Sequence, residues 1–223
     1  MVETIPANNA PADLIATSIV FLGAFNPMDL QPSYLAEHDL LSTSEKAQVG
    51  YQVLAPEIGV LTLPWMQVII EPSKLTATTT LGSPLLEPVR DFVFSFYDSL
   101  EVKHVRAVGV NHDTHFAVRS EEIWHRVGHR LVPKEDFWRN FLVEPGTASV
   151  TIKGKRDDKL AGHVNVKVEP SNLVHPGVYV NVNDHIELNE VDSVRLVILA
   201  AENLVASKKR SDAIVAALKG LAE

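Results

Sequence analysis

Apolar and polar positions alternate with a period of two in several short segments of this chain. Elsewhere they recur every three to four residues, so strands and helices are both predicted. Ile15–Phe25 is rich in β-branched and aromatic residues and reads as a buried strand stopped at Asn26-Pro27. A short helix is predicted over Pro32–Leu41, with Pro32 suited to its first turn. Gln48–Leu54, Val60–Leu63, Trp65–Glu71 and Leu75–Leu81 read as strands punctuated by Pro and Gly, with Thr76, Thr78 and Thr80 lining one face of the last. Ser83 is the expected N-cap of a helix over Leu85–Leu100, whose stripe is Leu85, Val89, Phe92, Phe96 and Leu100.

The second half follows a similar order. His104–Val118 reads as a strand, and Ser120 caps a helix over Glu121–Val132 with two acids in its first turn. Pro133 ends that helix, and a second short helical stretch is expected over Lys134–Leu142. Three strands with clear alternation follow, inward positions being Ala148, Val150 and Ile152, then Val164, Val166 and Val168, then Val178, Val180 and Val182. That alternation marks antiparallel strands with one buried and one wet face. Arg156–Lys159 reads as a hairpin tip and Asn172–Gly177 as another turn. Val194, Val197, Ile198, Ala201, Leu204 and Val205 give a last helical stripe, which Ser207–Ser211 is expected to interrupt.

The expected class is therefore α+β, with two similar halves at 15–103 and 104–223, each in outline β-α-β-β-β-α with about three strands between its helical segments, behind a loose leader at 1–14. Each half is expected to pack an antiparallel sheet on its own long amphipathic helix. Gly23 before Asn26 and Gly109 before Asn111 is the local echo between halves. This element order resembles the TATA-binding-protein-like or helix-grip type of α+β repeat. The resemblance implies an internal duplication, in which a curved sheet wraps a long helix and two repeats can join into a continuous sheet. It does not carry DNA binding with it, because fold does not imply function.

Charge bears on the same point. The chain has 223 residues and a net charge of −8, which opposes the counterion release that drives nucleic-acid binding. Through Lys103 there are 4 basic and 12 acidic residues, and from His104 onward 16 of each, so the two halves differ in surface. Cysteine is absent, which excludes disulfide scaffolds, thiolate metal sites and cysteine nucleophiles. The first residues lack the pattern of a secretory signal and no apolar run reaches the roughly 20 residues of a membrane span, so a cytoplasmic protein is expected. GxGxxG, P-loop, HExxH and GxSxG signatures are all missing.

One polar constellation stands out: Asn111-His112-Asp113-Thr114-His115, followed by His125 and His129. Two imidazoles four residues apart share one face of a helix, and Asp113 or His115 from the strand would add a third metal ligand. Arg126 and Arg130 beside the pair work against a cation there. Strand alternation puts His112 with Val108, Val110, Phe116 and Val118, as a core histidine, and leaves Asn111, Asp113 and His115 on the other side. The wet face of the C-terminal strands carries Ser149, Thr151 and Lys153, then His163, Asn165, Lys167 and Glu169, then Tyr179, Asn181, Asn183, His185 and Glu187. Asn is a poor strand former, so three on one face is unexpected. Trp124, Phe137 and Trp138 are expected in the core, and Trp65 in the core or at an interface.

Two functions follow as expectations. The first is a cofactor-free interaction module that binds a protein partner, a second copy of itself or a small polar ligand. It would use an open sheet face bearing Asn111, Asp113, Asn165, Asn181, Asn183 and His185, or an edge strand. The second is a divalent-metal-dependent hydrolase in the His112–His129 region, with His115, Asp113, His125 and His129 as ligands and a metal-bound water as nucleophile.

Overall fold

The computed structural model describes residues 13–82, 86–100, 104–158, 160–188 and 193–222. The leader through residue 12, the Ser83 cap, Leu85, Lys159 and the side chains of Val194, Val197, Ile198 and Ala201 lie outside the described residues. The first strand, β1, is Leu14–Ala24. Asn26 stops it and accepts a hydrogen bond from the Met28 amide, which opens a 3-10 turn over Pro27–Leu30. Helix α1 (Pro32–Glu37) follows, then α2 (Thr43–Lys46), which carries a reciprocal capping box between Ser42 and Glu45. A meander β2 (Gly50–Ala55), β3 (Ile58–Leu63), β4 (Met66–Glu71) and β5 (Lys74–Thr79) leads into α3 (Leu86–Ser99). Strand β6 (His104–Ala117) precedes α4 (Glu121–Leu131), whose first turn is capped by Ser120. The chain then runs through β7 (Val150–Lys155), β8 (Gly162–Pro170) and β9 (Gly177–Glu187) into α5 (Ser193–Leu221).

The nine strands form one antiparallel sheet in the order β2-β3-β4-β5-β1-β6-β9-β8-β7. This overturns the expectation of two sheets, each on its own long helix. The reason is the central pair. β1 and β6 lie side by side from Leu14 opposite His115 to Ala24 opposite His104. Each strand offers a full edge of backbone donors and acceptors, and pairing them satisfies both. Apolar alternation fixes which face a strand buries, but not which strand lies beside it.

The helices do not divide between two sheets either. A first apolar core holds Ile19, Phe21, Leu61, Val93, Phe96 and Val110, and a second holds Phe116, Val178, Val180, Val182, Val215 and Leu218. Helix α5 contributes Leu204 to the first and Val215 and Leu218 to the second, so one helix serves both. No helix among the described residues is long and apolar enough to cross a membrane.

Between the two cores α5 turns polar. Asn203, Ser207 and Ser211 are buried against the sheet at helical spacing, and α5 runs unbroken through the segment expected to interrupt it. Beneath them, Asp184 of β9 is fully buried and pairs with Arg156 and Arg210. Arg156 leaves the β7–β8 hairpin tip and turns inward. Its Nη2 donates to Asn203 Oδ1 at 2.8 Å and to Asp158 Oδ2 at 2.5 Å. A buried carboxylate is tolerable only with such partners, because desolvation of an unpaired charge costs several kcal/mol.

Other local expectations also change. The helical stretch over 134–142 reduces to a 3-10 turn at Trp138–Asn140. There Phe137 and Trp138 are 58% and 43% exposed, not core. Trp124 is half-buried against the second core, and Ile152, on the outermost strand, is exposed.

Asp184→Ala should lower the unfolding free energy by about 3–5 kcal/mol in urea titrations, because it strands Arg156 in the interior. Asp157→Ala, which removes only an exposed partner of Arg210, should cost less than about 1 kcal/mol. Equal effects of the two substitutions would show that loss of Asp184 does not strand Arg156 in a dry interior.

Candidate functional site

Alternation along β6 sorts the candidate residues between two environments. Val108, Val110, His112, Thr114 and Phe116 point to the helices, and Asn111, Asp113 and His115 point to the opposite face. That second face forms a polar row. In register it reads Thr62, Gln67, Thr78, Ser18, Asn111, Asn183, Asn165 and Lys153, from β3 across to β7.

The middle of the row is hydrogen-bonded through side chains. Asn165 Nδ2 donates to Asn183 Oδ1 at 3.4 Å, Asn183 Nδ2 to Asn111 Oδ1 at 2.6 Å, and Asn111 Nδ2 to Ser18 Oγ at 3.1 Å. Beside it, Asp113 Oδ1 accepts from the Tyr179 hydroxyl at 2.5 Å and from Asn181 Nδ2 at 2.9 Å. Burial, and then the Asp113 carboxylate, push the Tyr179 phenol well above its ordinary value, so it remains a donor. Asn111, Asp113, Asn165, Asn181, Asn183 and His185 therefore share one half-buried face.

The four side chains of the hydrolase reading fall into two pairs, Asp113 and His115 on the open face and His125 and His129 on α4 at the helix-covered side. His115 is buried, with its ring 4.6 Å from that of Tyr179 and its Nδ1 2.9 Å from Ser171 Oγ. Ser171 Oγ already accepts from the Leu173 and Val174 amides, so its own proton goes to His115 Nδ1. Burial lowers the His115 pKa, in keeping with that neutral acceptor. His125 and His129 sit on α4, which packs on the helix-covered side through Ile123, Trp124 and Leu131. They line a cavity of about 360 Å³ together with Trp124, Lys134 and Arg139. His129 Nε2 lies 2.6 Å from Glu135 Oε2. Lys134 Nζ donates to the Gly128 and Val132 carbonyls, so the nearby ammonium caps the C-terminal end of α4.

His112 occupies the core position that alternation predicts. Its Nδ1 is 3.1 Å from Thr17 Oγ1 and its Nε2 3.0 Å from Ser207 Oγ, so it ties β6 to β1 and to α5. Burial, reinforced by Lys208, lowers its pKa to about 4.

A different ligand-bearing cluster lies on the open face. His163 is directly opposite His185, with ring centroids 4.7 Å apart, and Glu187 is two residues along the same face of β9. One ligand atom from each of His163, His185 and Glu187 lies within 4.8 Å of the other two. Gly162 sets this pairing. Its φ is +134°, and a Cβ there would come within 2.1 Å of the His185 carbonyl oxygen. All three residues were placed on the wet face by alternation, but their convergence depends on the β8–β9 register. The register, once known, is the signal that finds them.

No protein-family model and no curated protein sequence matches the chain.

The neutral His112 sets a pH dependence of stability. Unfolded, the residue takes up a proton below about pH 6.5; folded, it does so only near 4. The unfolded state thus binds more protons between those values, so stability is lost as pH falls from about 6.5 to about 4, by roughly 3 kcal/mol in full. Urea unfolding of the wild type and His112→Gln should show the gap between them narrowing over that window and constant above it. A gap that does not change with pH would mean that His112 is not held neutral.

Proposed function

We propose that the protein is a non-enzymatic interaction module whose open sheet face docks a protein partner, a second copy of the chain or a small polar ligand. The observation that carries this reading is the polar row across the face that no described helix covers, and above all its ladder Asn165–Asn183–Asn111–Ser18. A sheet face with no helix over it normally carries strand-forming residues. Here three asparagines stand in register, each with amide donor and acceptor capacity beyond the ladder. Amides held in place on a rigid sheet are suited to recognising a polar surface at small entropic cost.

The net charge of −8 favours a protein or small-molecule partner over a polyanion. A cytoplasmic location, self-association and a duplicated origin of the halves belong to the same proposal. The hydrolase alternative would need Asp113 and His115 to leave their partners on one face and meet His125 and His129 from the other. The geometry lends it little support.

A photo-crosslinking residue at Asn165 tests the docking face against the same residue at Val205, an exposed site on α5. Crosslinks from position 165 to a partner or second copy, with none from 205, are expected. Crosslinks from 205 alone, or from neither, would remove the reading.

A further inference from the structure

We propose that His163, His185 and Glu187 form a binding site for a divalent transition-metal ion of the zinc type on the open face of the sheet. Two imidazoles and a carboxylate are a donor set that suits zinc and its neighbours and not calcium or magnesium. The set is built by backbone pairing. His163 and His185 are cross-strand partners, and Glu187 follows His185 on the same face.

In a tetrahedral site with metal–nitrogen distances of about 2.0–2.1 Å, ligand atoms stand roughly 3.3 Å apart. The three ligand atoms here lie within 4.8 Å of one another, and the side chains are half-buried or exposed, so side-chain rotation alone can close the difference. Space for the ion comes from β6, where Gly109 faces His185 and Ala107 faces Glu187. A Cβ at Gly109 would meet Asn183 Nδ2 and Val20 Cβ at 3.7 Å, in ordinary contact, so the missing side chain leaves about a methyl group's room beside His185. Lys155 stands in register with His163 on β7 and is exposed, so its ammonium can extend into solvent. Among the described residues neither imidazole of the pair is committed to a hydrogen bond, unlike His112 and His115. Three protein ligands leave a fourth position for water or a donor from a bound molecule. This site stands on its own geometry and does not depend on the docking reading.

Isothermal titration of the full chain with zinc chloride, paired with native mass spectrometry, tests it. One ion per chain is expected. His163→Gln and His185→Gln should each weaken binding at least about tenfold, and the double variant should abolish it. The pair His125→Gln/His129→Gln should bind as the wild type does. Glu187→Gln, at an exposed position, should weaken binding and keeps the test decisive if the double histidine variant loses its native circular dichroism. Absence of stoichiometric uptake overturns the proposal. So does uptake that survives in the folded double variant, that is unaffected by Glu187→Gln, or that disappears in His125→Gln/His129→Gln.

Discussion

The pairing of β1 with β6 is the constraint on which the rest of this structure depends. It turns two groups of strands into one sheet, and it brings residues almost a hundred positions apart to adjacent places. On the helix side it sets Thr17 against His112, and α5 closes that contact with Ser207. On the open side it sets Ser18 against Asn111 and so completes the amide ladder. A break between Leu22 and Gly23 keeps the far end in step. Gly23 is needed there because a Cβ would approach the His104 carbonyl oxygen to 2.1 Å.

The second organising element is the polar seam under α5. A helix that spans two apolar cores has to be fixed in rotation and along its axis, and apolar packing alone does so poorly. Asn203, Arg210, Asp184 and Arg156 supply directional bonds that only one placement satisfies. A buried ionic group can serve specificity in this way without adding net stability, and the hypothesis here is that it sets the register of α5 on the sheet. Combined apolar and polar substitutions at Asp184, Arg156 and Arg210 would separate the two contributions.

Much of this was legible in the sequence, for a physical reason. A half-buried strand must alternate, so the faces of β6, β8 and β9 could be assigned residue by residue, His112 inward and Asn111 and Asp113 outward included. Strand edges leave no such trace, because backbone hydrogen bonding is nearly independent of side chain. Alternation therefore left the joining of β1 to β6 hidden, and a continuous sheet entered only as an arrangement that the resemblance to duplicated repeats allows. Arg156 was hidden because a turn of charged residues looks solvated until a buried carboxylate is known to lie beneath it. The expectation for Phe137 and Trp138 erred in the opposite direction, since aromatic content reads as core whether or not the fold covers it. His163, His185 and Glu187 fell between these cases: their face was legible and their mutual distance was not.

Among the described residues the sheet ends in β2 on one side and β7 on the other, and both rims are guarded. The outermost strand on one side, β7, carries Lys153 and Lys155 flanking Gly154, with every residue after Val150 exposed. On the other, β2 pairs with β3 through a register shift between Tyr51 and Val53. Lysines and bulges at edge positions discourage the addition of a further strand from another molecule. Lysines on one rim and a register break on the other thereby oppose growth of the sheet from end to end into aggregates.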